Sequence, residues 1–349
     1  KYIRGLGDIL RVYRRKIQRI GSSTYIVSLP TLWAKEIGLE PKMEAVLEVL
    51  PDLSIRLYVP SKHITAISKE YTINIDIGYN VHDIVREIIG GYIAGAKNLK
   101  IVHKGIKREI IDEALAISRE RLMGLEIIDE DSSSITLQVV VDPNLSDIIS
   151  VMKRMVRIAT SMHEDIASYI KDSGDRAILE AIIARDNLVD KLYLLALRQL
   201  ITILMDPYEM NRKGLSYIDS IYVSLFIKSI ERVADHAVNI SLTLLGLTKI
   251  PNYVLEVYKG AIDVFKKVAE AFISMDKESA IKVIKEVEKL KAIEENIRKI
   301  HGEDMAKQPA ITRVLDAISR ILARSIEIAE EVIDIAAVRT IITIQQTNI

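Results

Sequence analysis

The sequence predicts a multidomain, mainly α protein with a small β-rich head, a βαβαββ α+β domain and two tandem three-helix bundles. Three observations predict it. Apolar residues alternate with period two in "YTINIDI" (71–77) and then switch to helical spacing in "VHDIVREIIGGYIAGA" (81–96). From about Asn144 to the end the helical period runs almost unbroken. Two stretches of that region, "ERVADHAVNI" (231–240) and "IEIAEEVIDI" (326–335), align on their apolar positions, as a duplicated unit would. At 349 residues the chain is too long for one ordinary core. The expected domains are 1–60, 61–143, 144–248 and 249–349.

The head begins with "KIQRIGSSTYIVSLP" (16–30), β-branched and apolar residues broken by Gly-Ser-Ser. Pro30 opens a short amphipathic helix, "TLWAKEIGL", which Gly38 ends. "EAVLEVL" and "SIRLYV" flank Pro51-Asp52 and read as a hairpin. In the next domain "LKIVH" is a short strand, and "KREIIDEALAISRERLMG" is a helix ending at Gly124. "LEIID" and "ITLQVVV" form a hairpin around "EDSSS". The order β-α-β-α-β-β fits a two-layer domain with both helices on one face of the sheet. Six long helices follow, near 145–172, 175–206, 213–247, 252–275, 277–303 and 309–345. Their breaks are Ser173-Gly174, the "DPYEMNRKG" loop, Leu247 to Pro251, Met275-Asp276 and Gln308-Pro309. Long helices with short connections make antiparallel bundles.

Composition excludes several function classes. There are no cysteines, hence no disulfides or thiolate metal sites. Lys plus Arg equals Asp plus Glu, 48 against 48, so no global field attracts nucleic acid. The balance hides a local excess: residues 1–19 carry seven basic residues against one acid, Asp8. No charge-free run approaches the roughly 18–20 residues of a membrane span, and the start has no signal-peptide apolar region. A cytoplasmic protein without membrane insertion is expected.

Four acids carry the chemistry. Glu231 and Asp235 lie one helical turn apart on a stripe continuing through Ile227, Val238 and Leu242. Asp186 and Asp190 repeat the spacing beside Ile182, Leu194 and Leu197. Like charges at i,i+4 repel, and burying them unpaired costs far more. If the two helices are neighbours, four carboxylates can meet, as they do at cation sites in bundles. Oxygen ligands without thiolate favour Mg, Ca, Mn or Fe. His236 and Asn239 can add a ligand or an outer contact. The same spacing also serves a solvated face neutralised by Arg185, Lys191, Lys228 and Arg232. The other histidines, His63, His82, His103, His163 and His301, read as structural or surface residues. In the head, Arg14, Arg15, Lys16 and Arg19 put four positive charges in six residues, followed by Ser22, Ser23 and Thr24. Such a cluster neutralises phosphates in a salt-dependent way, and the hydroxyls position a backbone without reading sequence. A solvated basic strand edge is the competing reading.

"ERVADHAVNI", with "ARDNLVDKLY" about 45 residues earlier, resembles the paired acidic motifs of the PhoU family. That resemblance covers roughly 145–345 and implies two tandem three-helix bundles and a role in phosphate uptake. It implies a divalent or trivalent metal ion (Fe, Mn, Mg, Ca or Zn) held by Asp186, Asp190, Glu231 and Asp235. Arg232, His236 and Asn239 are then motif neighbours. A phosphate ABC transporter ATPase subunit is the implied partner. In the second unit Ile326 falls where Glu231 stands and Glu330 where Asp235 stands, and the fifth helix offers only Glu288 or Glu295, so one metal site per chain is expected. "RRKIQRIGSSTYIVSLPTLWAKEIGL" is similar to AbrB-type swapped-hairpin domains, small dimers that often bind DNA. It departs at Lys42-Met43, where that family has a Gly-Asp turn. The combination resembles the PhoU-like regulators of archaea, and "GLEIIDEDSSSITLQVVVDP" looks like their junction before the first bundle. The expected protein is therefore a homodimeric, DNA-binding, metal-sensing regulator rather than an enzyme. One alternative is a transporter-docking module whose head only dimerises. A second is a carboxylate-bridged metalloenzyme, disfavoured by the lack of any Glu-x-x-His pair, nucleophile motif or phosphate-cradling glycine loop.

Overall fold

A computed structural model describes residues 11–50, 53–60, 70–141, 147–172, 175–247 and 250–347. The expected Pro51-Asp52 turn, the Ser173-Gly174 break and the domain boundaries at 60/61, 143/144 and 248/249 touch or lie among residues outside this set. The chain divides into two compact units, Lys1–Ile67 and Ser68–Ile349.

In the first unit β1 (Gln18–Ile20) pairs antiparallel with β2 (Thr24–Ile26) across a turn in which Gly21 takes φ +64°. The helix α1 (Thr31–Glu36) follows Pro30, and Gly38 turns the chain out of it at φ +62°. A second ribbon pairs β3 (Val46–Val49) with β4 (Ile55–Tyr58). Neither ribbon covers an apolar face. Ile17, Ile20, Leu47, Val49 and Ile55 are each more than half exposed, and Val59 alone among the described residues of this unit is buried. Two-stranded ribbons without a covered face are marginal on their own.

The second unit starts with a four-stranded sheet in the order β5-β6-β8-β7, formed by β5 (Glu70–Ile75), β6 (Asn98–His103), β7 (Leu125–Glu130) and β8 (Ser134–Val139). β5 and β6 are parallel, joined through α2 (Val81–Ile93), and the other pairs are antiparallel. Asn80 caps α2 in a reciprocal box with Asp83. After α3 (Arg108–Arg121), Gly124 takes φ +74° where a Cβ would strike the Val140 carbonyl, so the turn into β7 admits only glycine. Ile73, Ile75, Leu99, Ile101, Ile135 and Leu137 pack beneath Ile84, Ile88, Ile111 and Leu115 of the two helices.

The remainder is helical: α4 (Ile148–Asp172), α5 (Arg176–Leu204), α6 (Pro207–Arg212), α7 (Tyr217–Leu244), α8 (Asn252–Ser274), α9 (Lys277–Lys307) and α10 (Pro309–Thr347). The short α6 departs from the sequence reading, which placed a loop at "DPYEMNRKG". Asp206 accepts from the backbone N–H groups of Tyr208 and Glu209, and Pro207 occupies the first turn, together enough to start a helix there. Between α8 and α9 Met275 is left-handed (φ 56°) and Asp276 caps the next helix, giving the tight break expected at that pair. α4, α5 and α7 pack pairwise, and so do α8, α9 and α10. α4 against α8 and α7 against α10 join these groups into one continuous core. Leu194 and Tyr193 of α5 also enter the α+β core, so α5 is the seam between the sheet domain and the helices.

Candidate cation and anion sites

α5 and α7 are direct neighbours, which sets the two acidic pairs on facing helices. Glu231 is 9% exposed, while Asp186, Asp190 and Asp235 are half-buried. Leu242, expected on the same apolar stripe, is exposed: the stripe turns toward solvent two turns beyond Asp235.

Two carboxylate oxygens, Asp186 Oδ1 and Glu231 Oε2, are buried without a hydrogen-bond partner. Burial and the neighbouring charges of Asp190, Asp235 and Glu231 push Asp186 up to about 7. Burial, then Glu231 and Asp235, push Asp190 upward as well. Opposing this, Lys228 Nζ donates to Glu231 Oε1 at 2.7 Å and Arg232 Nη1 to Asp235 Oδ2 at 3.0 Å. Arg232 Nε stands 3.7 Å from Glu231 Oε2, an ion pair without a hydrogen bond. Arg185 takes no part in that neutralisation, because its guanidinium bonds Asp165 and Ser161 of α4. His236 is buried and feels Arg320 and Arg324 of α10 along with Asp235; burial first, then those arginines, lower it to about 4. Asn239 is exposed.

This donor set suits a hard cation: oxygen ligands, mutual repulsion, and two orphaned oxygens. Among the described residues, no three Asp, Glu or His side chains are gathered as a formed ligand cage. What sequence reasoning missed is Arg121, at the end of α3, whose charge opposes the upward shift of Asp190. Nothing in the sequence links residue 121 to residue 190 before the sheet domain is docked on α5.

The second helical group differs. Glu288 and Glu295 of α9 are exposed. Among the described side chains of α9 the buried acid is Glu294, which takes hydrogen bonds from Arg298 (2.6 Å) and Ser319 (2.7 Å). Arg298 also reaches Asp316, so a protein cation links α9 and α10 there. On α10 Glu331 is buried with Oε2 unpartnered.

In the head, Arg14, Arg15, Lys16, Arg19, Ser22, Ser23 and Thr24 are all exposed. Arg19 is partly committed: it donates to the Ser22 carbonyl and lies over the Tyr25 ring. Arg15 donates to the Arg14 carbonyl at 3.0 Å.

The class this arrangement defines is a mainly helical, multi-helix protein with small sheets. Residues 152–243, from α4 through α7, match the family model described as the PhoU domain. In structure the chain is similar to the crystal structure of PhoU from Pseudomonas aeruginosa, with a TM-score of 0.47 and 18% identity over 54% of this chain and 95% of that one. It is also similar to the phosphate transport system regulatory protein PhoU from Streptococcus pneumoniae, with a TM-score of 0.47 and 16% identity over 54% of this chain and 93% of that one. No curated protein matches the chain. No described helix is long and apolar enough to cross a membrane.

Proposed function

We propose that the chain is a regulator of phosphate uptake of the PhoU type. The observation that carries this reading is the match of residues 152–243 to the PhoU domain, the span that contains all four clustered acids. Asp186, Asp190, Glu231 and Asp235 hold a metal ion, which supplies the positive charge that their buried oxygens lack. Lys228 and Arg232 partly offset the same charge and adjust how tightly the ion is held. The chain works in the cytoplasm, and a phosphate transporter's ATPase subunit is its partner.

The head makes the protein a homodimer. Its exposed Ile20, Leu47, Val49 and Ile55 are the surface a second copy covers, as in a swapped hairpin of the AbrB type. Doubling the cluster at Arg14, Arg15, Lys16 and Arg19 gives a phosphate-binding edge suited to DNA. The protein is then an archaeal-type transcriptional regulator rather than an enzyme. Phosphate uptake by cells lacking the chain tests the role. Uptake that no longer responds to external phosphate, and is restored by the wild-type chain, is expected; an unchanged response contradicts the proposal.

A further inference from the structure

Away from the acid cluster, α4 and α8 border a cleft of about 630 Å³. Its α4 wall carries Lys153 and Arg157 one turn apart, both exposed and neither in an ion pair among the described residues. One turn further lies Thr160, 7% exposed, whose hydroxyl is buried without a hydrogen-bond partner. That oxygen is closed to atoms the size of a water and forms no part of the cleft surface. From the α8 wall Lys266 crosses to Glu164 at 2.9 Å, so those two charges satisfy each other. That leaves Lys153 and Arg157 against a single acid of the lining, Glu270. Val156 and Ile273 give the cleft an apolar side.

Two cations one turn apart, neither ion-paired, suit an anion with several oxygens. Inorganic phosphate would fill a small part of the volume and leave Val156 and Ile273 in water. Clefts of this size hold small organic molecules. We propose that the α4/α8 cleft binds an organic phosphate monoester, its phosphate on Lys153 and Arg157 and its apolar body against Val156 and Ile273. Glu270 accepts from a hydroxyl or amino group of that ligand. The site lies at the contact between the two helical groups and stands apart from the regulatory reading, since its ligand is read by binding and not by uptake.

Equilibrium titration of the full chain with phenyl phosphate, AMP and inorganic phosphate tests it. Phenyl phosphate and AMP are expected to bind, with inorganic phosphate weaker by about tenfold or more. Lys153→Ala/Arg157→Ala is expected to weaken both organic probes by at least about tenfold, with the melting temperature unchanged because both side chains are exposed. Lys171→Ala, further along α4, should not weaken them. Absence of binding by both organic probes overturns the proposal. So does inorganic phosphate binding as tightly as phenyl phosphate, or an unchanged affinity in the double variant.

Discussion

His163 Nδ1 lies 2.6 Å from the Tyr258 hydroxyl, joining α4 to α8 inside the shared core. Its Nε2 lies 2.8 Å from the Val233 carbonyl of α7. One tautomer satisfies both contacts: Nε2–H donates to Val233, and the Tyr258 hydroxyl donates to Nδ1. Burial lowers His163 to about 4 and raises Tyr258, so both are neutral. His163→Ala should cost ~3 kcal/mol, from removal of a buried ring and an orphaned hydroxyl; Tyr258→Phe should cost ~1–2 kcal/mol. Urea unfolding measures both. The unfolded chain binds a proton at this histidine that the native chain excludes, so stability falls as pH drops from 6.5 toward about 4. His163→Ala should reduce that slope without abolishing it, because His236 is lowered to about 4 as well.

Glu331 behaves in the opposite sense. Burial, then Glu327, raise it to about 8, with Arg324 opposing. A carboxyl raised in the folded state retains a proton that the unfolded chain releases, so its contribution is present at low pH and lost as pH rises from 4.5 through about 8. Glu331→Gln should raise the melting temperature at pH 8.5 and leave it nearly unchanged at pH 4.5. Thermal melts at the two pH values decide it.

The head's basic cluster predicts salt-dependent DNA affinity. For every DNA phosphate left without its basic side chain, the slope of log K against log salt should shrink by about 0.9. Arg14→Ala/Arg15→Ala should therefore lower the slope by about 2 per head. A wild-type slope near zero would leave the head as a dimerisation element alone.

Leu47 and Ile55 lie on the paired strands β3 and β4 and are 62% and 63% exposed. Leu47→Glu/Ile55→Glu should convert a dimer to a monomer in analytical ultracentrifugation while leaving the helical circular dichroism signal in place. Persistence of the dimer would move the interface elsewhere.

The six long helices were legible because their apolar residues recur at helical spacing over 23 residues or more, and Pro, Gly and Asx residues mark their ends. The positions aligned as a repeat, Val233 and Ile328, Ala234 and Ala329, and Ile240 and Ile335, are all buried. Boundaries moved where capping outweighed composition, as at Asp206-Pro207. The acidic pairs could be read from i,i+4 spacing, but their surroundings could not. Whether Arg185 turns to Asp165 or to Asp186 depends on which helix packs beside it. Arg121 comes from another layer, and no local spacing singles out Glu331 among the acids of α10. Such features are set by tertiary packing, which a local pattern does not encode.

The cation site proposed at Asp186, Asp190, Glu231 and Asp235 is tested most directly by metal analysis of purified chain, wild type beside Asp190→Ala/Asp235→Ala. The wild type should retain a bound ion after exhaustive dialysis, with the content falling at least about tenfold in the double variant, as removal of two charged oxygen ligands requires. Circular dichroism should show the same helical content in both proteins. Equal metal content in the two, or none in the wild type after loading with manganese or iron, would contradict the site.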